Sequence, residues 1–228
     1  MYKILFFGRA GCSMTDRLIQ GLRQSTCSLT VFLSRVRGEA LPTSVHEWKG
    51  DYIFSFRSLA ILPRSVRDSA SVSAINFHPG PPEFPGSGST NFALLERATS
   101  FGVTAHVMDD IVDSGEILRV KRFRIDPDDD LETLTTKTHR ELLSLALQFI
   151  SDALENQTAN LASLKTTREL EWSGVRRKIG LIDELSSIDV AISQTELSNR
   201  VRALHHPDFP LKLRIHGYTF VLVGDPPA

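Results

Sequence analysis

The chain has 228 residues, 41% hydrophobic and 23% charged, proportions of a folded globular protein that exclude wholesale disorder. A formal net charge of −1 gives no general electrostatic grip on nucleic acid or an anionic membrane, so neither is expected as a partner. Cys12 and Cys27 are too few for a disulfide scaffold, and no apolar run approaches the ~20 residues of a membrane span, so a cytoplasmic location is expected.

Residues 3–7 (Lys-Ile-Leu-Phe-Phe) form a short apolar run ended by Gly8, too short for a signal peptide and suited to a buried parallel strand. A loop over 8–13 follows, and Met14, Leu18, Ile19 and Leu22 then recur at helical spacing. Apolar runs predict strands over 29–33, 52–56 and 74–77, with a short helix within 63–70. Four prolines (Pro79, Pro81, Pro82, Pro85) make 78–89 neither helix nor central strand; a rigid loop is expected there, with one X-Pro bond in cis to make the tight reversal. A helix over 92–98 and strands over 103–108 and 117–125 come next. Asp126-Pro127-Asp128-Asp129-Asp130 then opens a long helix over 131–154, where acids and a proline suit a helix N-terminus. Beyond Gln157 the pattern weakens to a helix over 194–204 and a hairpin over 214–223 around His216-Gly217. Strand, loop and helix in this order predict an α/β fold, an open and mostly parallel Rossmann-like sheet over 1–157. Residues 158–228 form a small C-terminal subdomain.

Three stretches carry candidate chemistry. Asn76 and His78 end a strand two positions apart, hence on one face, and open sheets bind ligands beyond the carboxyl ends of their strands. An amide donor beside an imidazole can polarise a carbonyl and manage a proton at neutral pH, although His78 could simply brace the proline loop. Asp113 lies in an Asp-Ser-Gly turn, a place where Asp needs no further reason than an Asx-turn. Ser58, Leu59, Ala60, Ile61 and Leu62 follow a strand end, either as core or as the wall of a pocket for a flat heterocycle. Gly8-x-x-Gly11 lacks the third glycine of a dinucleotide fingerprint and the lysine of a phosphate loop, so it identifies neither.

Taken together, Asn76-x-His78, then Gly102-Val103-Thr104-x-His106, then Asp113-x-Gly115-x-Ile117 resemble the 10-formyltetrahydrofolate-dependent formyltransferase family over about residues 1–150. The resemblance implies the formyltransferase fold and transfer of a formyl group from 10-formyltetrahydrofolate to an amine. Asn76 and His78 would then stabilise the oxyanion of the tetrahedral carbon, and Asp113 would hold His78 in its protonation state or collect the proton of the attacking amine. By the same resemblance residues 58–62, with Val112, would wrap the pterin ring. No metal is implied. The proline loop departs from the Ser-Leu-Leu-Pro that many relatives carry there. The barrel domain that grips tRNA in methionyl-tRNA formyltransferase is not expected, and the pattern looks most like the nucleotide-linked amino-sugar N-formyltransferases of surface-polysaccharide pathways.

The expected acceptor is therefore the amine of a nucleotide-linked amino sugar, with Arg9, Phe84 and Asn91 offering a cation, an aromatic face and an amide for it. The alternatives are glycinamide ribonucleotide as acceptor, or a catalytically idle folate- or nucleotide-binding module. A homodimer is expected, because Leu161, Leu164, Trp172, Ile179, Leu181, Ile182 and Ile188 are hard to bury in a small subdomain alone.

Overall fold

The apolar run near the N-terminus becomes β1 (Tyr2–Arg9), whose Ile4, Leu5, Phe6 and Phe7 are fully buried. A strand buried on both faces belongs inside a sheet covered on both sides. The computed structural model describes residues 1–155, 161–165, 170–175, 177–206 and 210–223. After β1 come α1 (Ser13–Gln24), β2 (Cys27–Ser34), α2 (Thr43–His46), β3 (Gly50–Phe56), α3 (Arg64–Arg67) and β4 (Ala70–His78). These are followed by α4 (Ser89–Leu95), β5 (Ser100–Val107), β6 (Ile117–Arg124) and α5 (Leu131–Glu155). The six strands form one sheet in the order β2-β1-β3-β4-β5-β6; the first four run parallel, and β5 and β6 are each antiparallel to the neighbour before them.

The two-residue period of a strand sorts the side chains into two cores. Ile4, Phe6, Tyr52, Phe54, Ile75 and Phe77 face α1 and α5, meeting Leu18, Leu22, Leu142, Ala146 and Phe149. Leu5, Phe7, Ile53 and Ala74 face the other way, against Val45 of α2 and Val66 of α3. Asn76 and His78 share the parity of Ala74, so β4 delivers both to the α2/α3 face at its carboxyl end.

The acidic run before α5 is a helix cap. Thr133 N–H donates to Asp130 Oδ1 (2.9 Å) while Asp130 N–H donates to Thr133 Oγ1 (2.8 Å), a reciprocal box that satisfies the first turn. Lys137 then ties Asp126 and Asp129 together. In the proline loop, Phe84 N–H donates to Pro81 O (2.9 Å), closing a turn across Pro81-Pro82-Glu83-Phe84. That turn makes the reversal without a cis bond, correcting the expectation; among the described residues no peptide bond is cis.

The C-terminal part holds α6 (Leu161–Leu164), α7 (Ile179–Leu185), β7 (Ser187–Ile188), α8 (Gln194–Leu204), β8 (Lys212–Ile215) and β9 (Tyr218–Val221), with β7, β8 and β9 in a small sheet. The boundary expected at residue 157 lies outside the described residues. α8 is clamped to α4 by two amides, Asn91 Nδ2–H donating to Ala203 O (2.9 Å) and Asn199 Nδ2–H to Leu95 O (3.1 Å). A third core, with Phe84, Phe92, Phe101, Leu134 and Leu204, joins this part to the first. Three of the seven apolar residues expected to seek a second copy are used within these cores, Leu161 and Leu164 in the α5 core and Ile182 on the α4/α8 core, while Leu181 stands exposed. The side chain of Ile179 lies outside what is described. Among the described residues no helix is long and apolar enough to cross a membrane.

Candidate active site

The register between β4 and β5 builds the site. Asn76 lies directly opposite His106, and His78 opposite Thr104, so the antiparallel pairing puts a second imidazole beside the Asn-x-His pair. Asp113 arrives from the loop after β5 with a left-handed backbone (φ 50°), a conformation that Asp tolerates better than most residues. Gly115 permits this loop to close on β5, since a Cβ there would sit 2.0 Å from Val107 O. An Asx-turn would tie the Asp113 carboxylate to its own turn. It instead accepts Gly86 N–H of the proline loop at 2.9 Å, 27 positions earlier in the chain.

The imidazoles flank this carboxylate. His78 Nδ1 lies 3.3 Å from Asp113 Oδ2, and His106 Nε2 lies 3.3 Å from Asp113 Oδ1. The other ring nitrogens meet backbone carbonyls, His78 Nε2 to Phe84 O at 3.0 Å and His106 Nδ1 to Val107 O at 2.8 Å. A carbonyl only accepts, so those nitrogens carry the hydrogens, and in the neutral rings the bare nitrogens face Asp113. His106 Nε2 also takes Asn76 Nδ2–H at 3.1 Å, leaving the second amide hydrogen of Asn76 for the cleft.

Asp113 is 5% exposed. Burial opposes its ionisation, but Gly86 N–H and the positive charge that the imidazoles carry when protonated outweigh it and hold the carboxyl down at about 2. His78, 3% exposed, is pushed below the usual histidine range by burial, a shift that Asp113 opposes. With both rings neutral the buried carboxylate faces two lone pairs, and a proton on either facing nitrogen turns that contact into a charge-assisted hydrogen bond.

Asn76, His106 and Asp113 line one cleft of about 240 Å³ on the α2/α3 face. Each of Ser58, Leu59, Ala60, Ile61, Leu62 and Val112, the expected pterin contacts, lines it too. The 58–62 loop is held from beneath by hydroxyls, Leu59 N–H donating to Ser34 Oγ (2.8 Å) and Ala60 N–H to Ser58 Oγ (3.1 Å). Ile61, Ile111 and Val112 stand half or more exposed around the opening, an apolar rim suited to a flat ring. His78 Nε2 faces Phe84 O and its ring is buried beside Asp113, outside the lining of the cleft, and His106 is the imidazole that lines it.

The expected acceptor contacts do not converge. Phe84 is buried (6% exposed) in the α4/α8 core beneath the Arg177 guanidinium, because the turn at Pro81 aims its ring inward. Asn91 spends its amide on α8. Arg9 ends β1 near Arg57 and His139, outside the lining of the cleft.

A family model described as "Formyl transferase" matches residues 27–149, more than half of the chain and all four polar residues of the cluster. The chain belongs to the formyl transferase family. The methionyl-tRNA formyltransferase of Prochlorococcus marinus subsp. pastoris is 29% identical over 151 residues, 64% of this chain and 44% of that protein. This formyl transferase chain thus spans less than half the length of the first curated relatives it matches. Among solved structures, a 4-N formyltransferase from Francisella tularensis has a TM-score of 0.80 at 19% identity, covering 99% of this chain and 98% of that one. An N-formyltransferase from Helicobacter canadensis, in complex with folinic acid and dTDP-3-aminofucose, has a TM-score of 0.72 at 16% identity, covering 95% and 85%. At these identities the likeness shows the formyltransferase fold.

Sequence reasoning left two members of this formyl transferase site off its list. His106 was visible only as part of a motif, because its place opposite Asn76 depends on the β4–β5 register. Gly86 contributes a backbone N–H, for which no side-chain pattern exists.

Proposed function

We propose that this formyl transferase moves a formyl group from 10-formyltetrahydrofolate to the amine of a nucleotide-linked amino-deoxy sugar. The observation that carries the reading is the buried Asp113 carboxyl between two imidazoles at a cleft walled by residues 58–62. Transfer forms a bond from the amine nitrogen to the formyl carbon, passes through an oxyanion, and then breaks the bond from that carbon to N10. Asn76, with one amide hydrogen free toward the cleft, stabilises the oxyanion. The proton shed by the attacking nitrogen goes to His106 Nε2, which gives up its bond from the Asn76 amide to take it, and Asp113 holds it there. A proton returns to N10 as tetrahydrofolate leaves. His78 braces Asp113 from behind, between the carboxylate and Phe84 O.

The apolar rim of Ile61, Ile111 and Val112 supports the folate as donor. The complex of the Helicobacter canadensis relative with folinic acid and a dTDP-linked amino sugar supports both ligands. One finding favours a second acceptor: the curated relatives act on methionyl-tRNA, although a net charge of −1 leaves this chain little to meet tRNA phosphates. A homodimer is part of the same reading, supported by the exposed apolar side chains of β9.

The test is an acceptor panel. Enzyme and 10-formyltetrahydrofolate are incubated with dTDP-, GDP- and UDP-linked amino sugars, glycinamide ribonucleotide and methionyl-tRNA. At least one sugar is expected to gain about 28 Da, the carbonyl added when formyl replaces an amine hydrogen. Formylation of glycinamide ribonucleotide or methionyl-tRNA alone would replace the sugar, and no product at all would leave the idle binding module.

A further inference from the structure

Beyond α5 the chain returns to the proline loop. Ser173 N–H donates to Pro82 O (3.0 Å), Ser173 Oγ–H to Glu83 O (3.1 Å) and Arg177 Nη1–H to Glu83 O (3.2 Å). This stapled segment carries Trp172, whose Nε1–H donates to Gly115 O (2.8 Å), two positions past Asp113. The indole therefore cannot rotate freely. Its ring meets His106 at a centroid distance of 5.0 Å and His78 at 5.7 Å, both edge to face. One side chain from outside the family-matched residues 27–149 thus touches both imidazoles of the cluster and is anchored to the loop that bears its carboxylate.

We propose that Trp172 is a positioning residue for formyl transfer, holding the His78 and His106 rings in register with Asp113 and keeping water from them. An imidazole on a strand keeps rotamer freedom unless something packs on it, and an edge-to-face partner fixes the ring plane. The Phe84 carbonyl holds the His78 ring at one nitrogen, a single hinge, while Val107 O and the Asn76 amide hold His106 at both. The indole adds a constraint on both ring planes, and for His78 it is the second one, so that the nitrogen facing Asp113 stays aimed at it. The ionisable groups facing His78 are Asp113, from the loop after β5, and His106, from β5. The proline loop offers it the Phe84 carbonyl and the Trp172 segment an uncharged ring.

The inference rests on the formyl-transfer reading, and its test separates the two. Trp172→Ala should lower kcat roughly ten-fold or more, a misalignment effect, with the KM for 10-formyltetrahydrofolate unchanged within about two-fold. Trp172→Phe, which keeps an edge-to-face ring, should recover most of that loss. The acid limb of kcat/KM in Trp172→Ala should move to higher pH, since a His78 that water reaches takes a proton more readily and then draws Asp113 away from His106. Wild-type kcat and pH profile in Trp172→Ala would overturn the proposal, as would equal changes in kcat and KM. A second measurement needs no turnover and serves if Trp172→Ala does not fold. The chain has two tryptophans, so Trp48→Phe leaves Trp172 as the sole indole. An indole bonded at Nε1 and packed on two rings cannot turn, so its near-ultraviolet circular dichroism should be strong and should weaken when His106→Ala removes one of the rings. An unchanged spectrum would overturn the contact. A wild-type enzyme that formylates no acceptor would defeat the functional reading while leaving this spectrum to judge the indole.

Discussion

Asp113 is a buried carboxylate with Gly86 N–H donating to it and an imidazole on either side, and that arrangement sets its use. Asn76→Ala and Asp113→Asn should each lower turnover by ~10²-fold or more, the scale of losing one oxyanion donor or the proton acceptor. Far-ultraviolet circular dichroism should stay that of the wild type, and a near-normal rate in Asp113→Asn would return that residue to a turn role. His139 of α5 makes a second prediction of definite sign. Burial, with Arg57 and Arg9 nearby, pushes it down to about 4, against about 6.5 in an unfolded chain. A base with a lowered folded value stabilises fully above the unfolded value, and that stability is lost as pH falls from about 6.5 toward 4. The urea midpoint should therefore drop between pH 7.5 and pH 5 in the wild type and drop less in His139→Gln; equal drops would contradict it. Asn76, His78 and Asp113 were legible as a motif. That His106 rather than His78 lines the cleft was not, because local alternation puts each on a strand face but says nothing of the register that sets His106 opposite Asn76.

The proline loop links the two halves of the site through Arg177. Its guanidinium lies over Phe84 (4.9 Å) and Phe92 (5.4 Å) and bonds Glu83 O and Glu96, while its backbone runs against Gly86, the donor to Asp113. Gly86 is required there twice over, by φ 92° and by the 2.8 Å at which a Cβ would meet Arg177 O. Arg177→Ala should cost about 1–2 kcal/mol, as a half-buried cation–π and hydrogen-bond anchor, and also reduce kcat by loosening Gly86. Thermal unfolding read beside turnover checks it; a lowered midpoint with unchanged kcat would confine Arg177 to stability. At this scale the long elements were readable. β1, β3 and α5 announce themselves by apolar runs or a capped amphipathic stretch, and α8 was placed at its observed bounds by Leu197, Val201 and Leu204. The short α2, α7 and β7 were not foreseen, since four, seven and two residues carry too little periodicity and take their form from what they pack against.

As a whole, the described residues bury their apolar side chains in three cores and leave, besides the rim of the cleft, an exposed strip on the last hairpin. Tyr218, Phe220 and Val221 of β9, with Val223, are at least half exposed, whereas Leu161, Leu164 and Ile182, which first suggested pairing, are used inside. The hairpin itself was legible: His216 and Gly217, both at positive φ, make the tight turn that an x-Gly pair between strands predicts. Which apolar residues stay outside was not, because that depends on how α8 and the small sheet dock. If two copies cover the strip, light scattering should give about twice the 25.4 kDa of one chain, and Tyr218→Ser with Phe220→Ser should return it to one. A wild-type monomer at micromolar concentration would end the idea. The account as a whole turns on an amine-dependent transfer that needs Asp113. The most direct measurement follows tetrahydrofolate release by absorbance, with each amino sugar in turn, for the wild type and Asp113→Asn side by side. The prediction is release only when a nucleotide-linked amino sugar is present, matched one for one by formylated sugar and slowed ~10²-fold or more in the folded variant. Release that ignores the amine, or an Asp113→Asn enzyme as fast as the wild type, would contradict it.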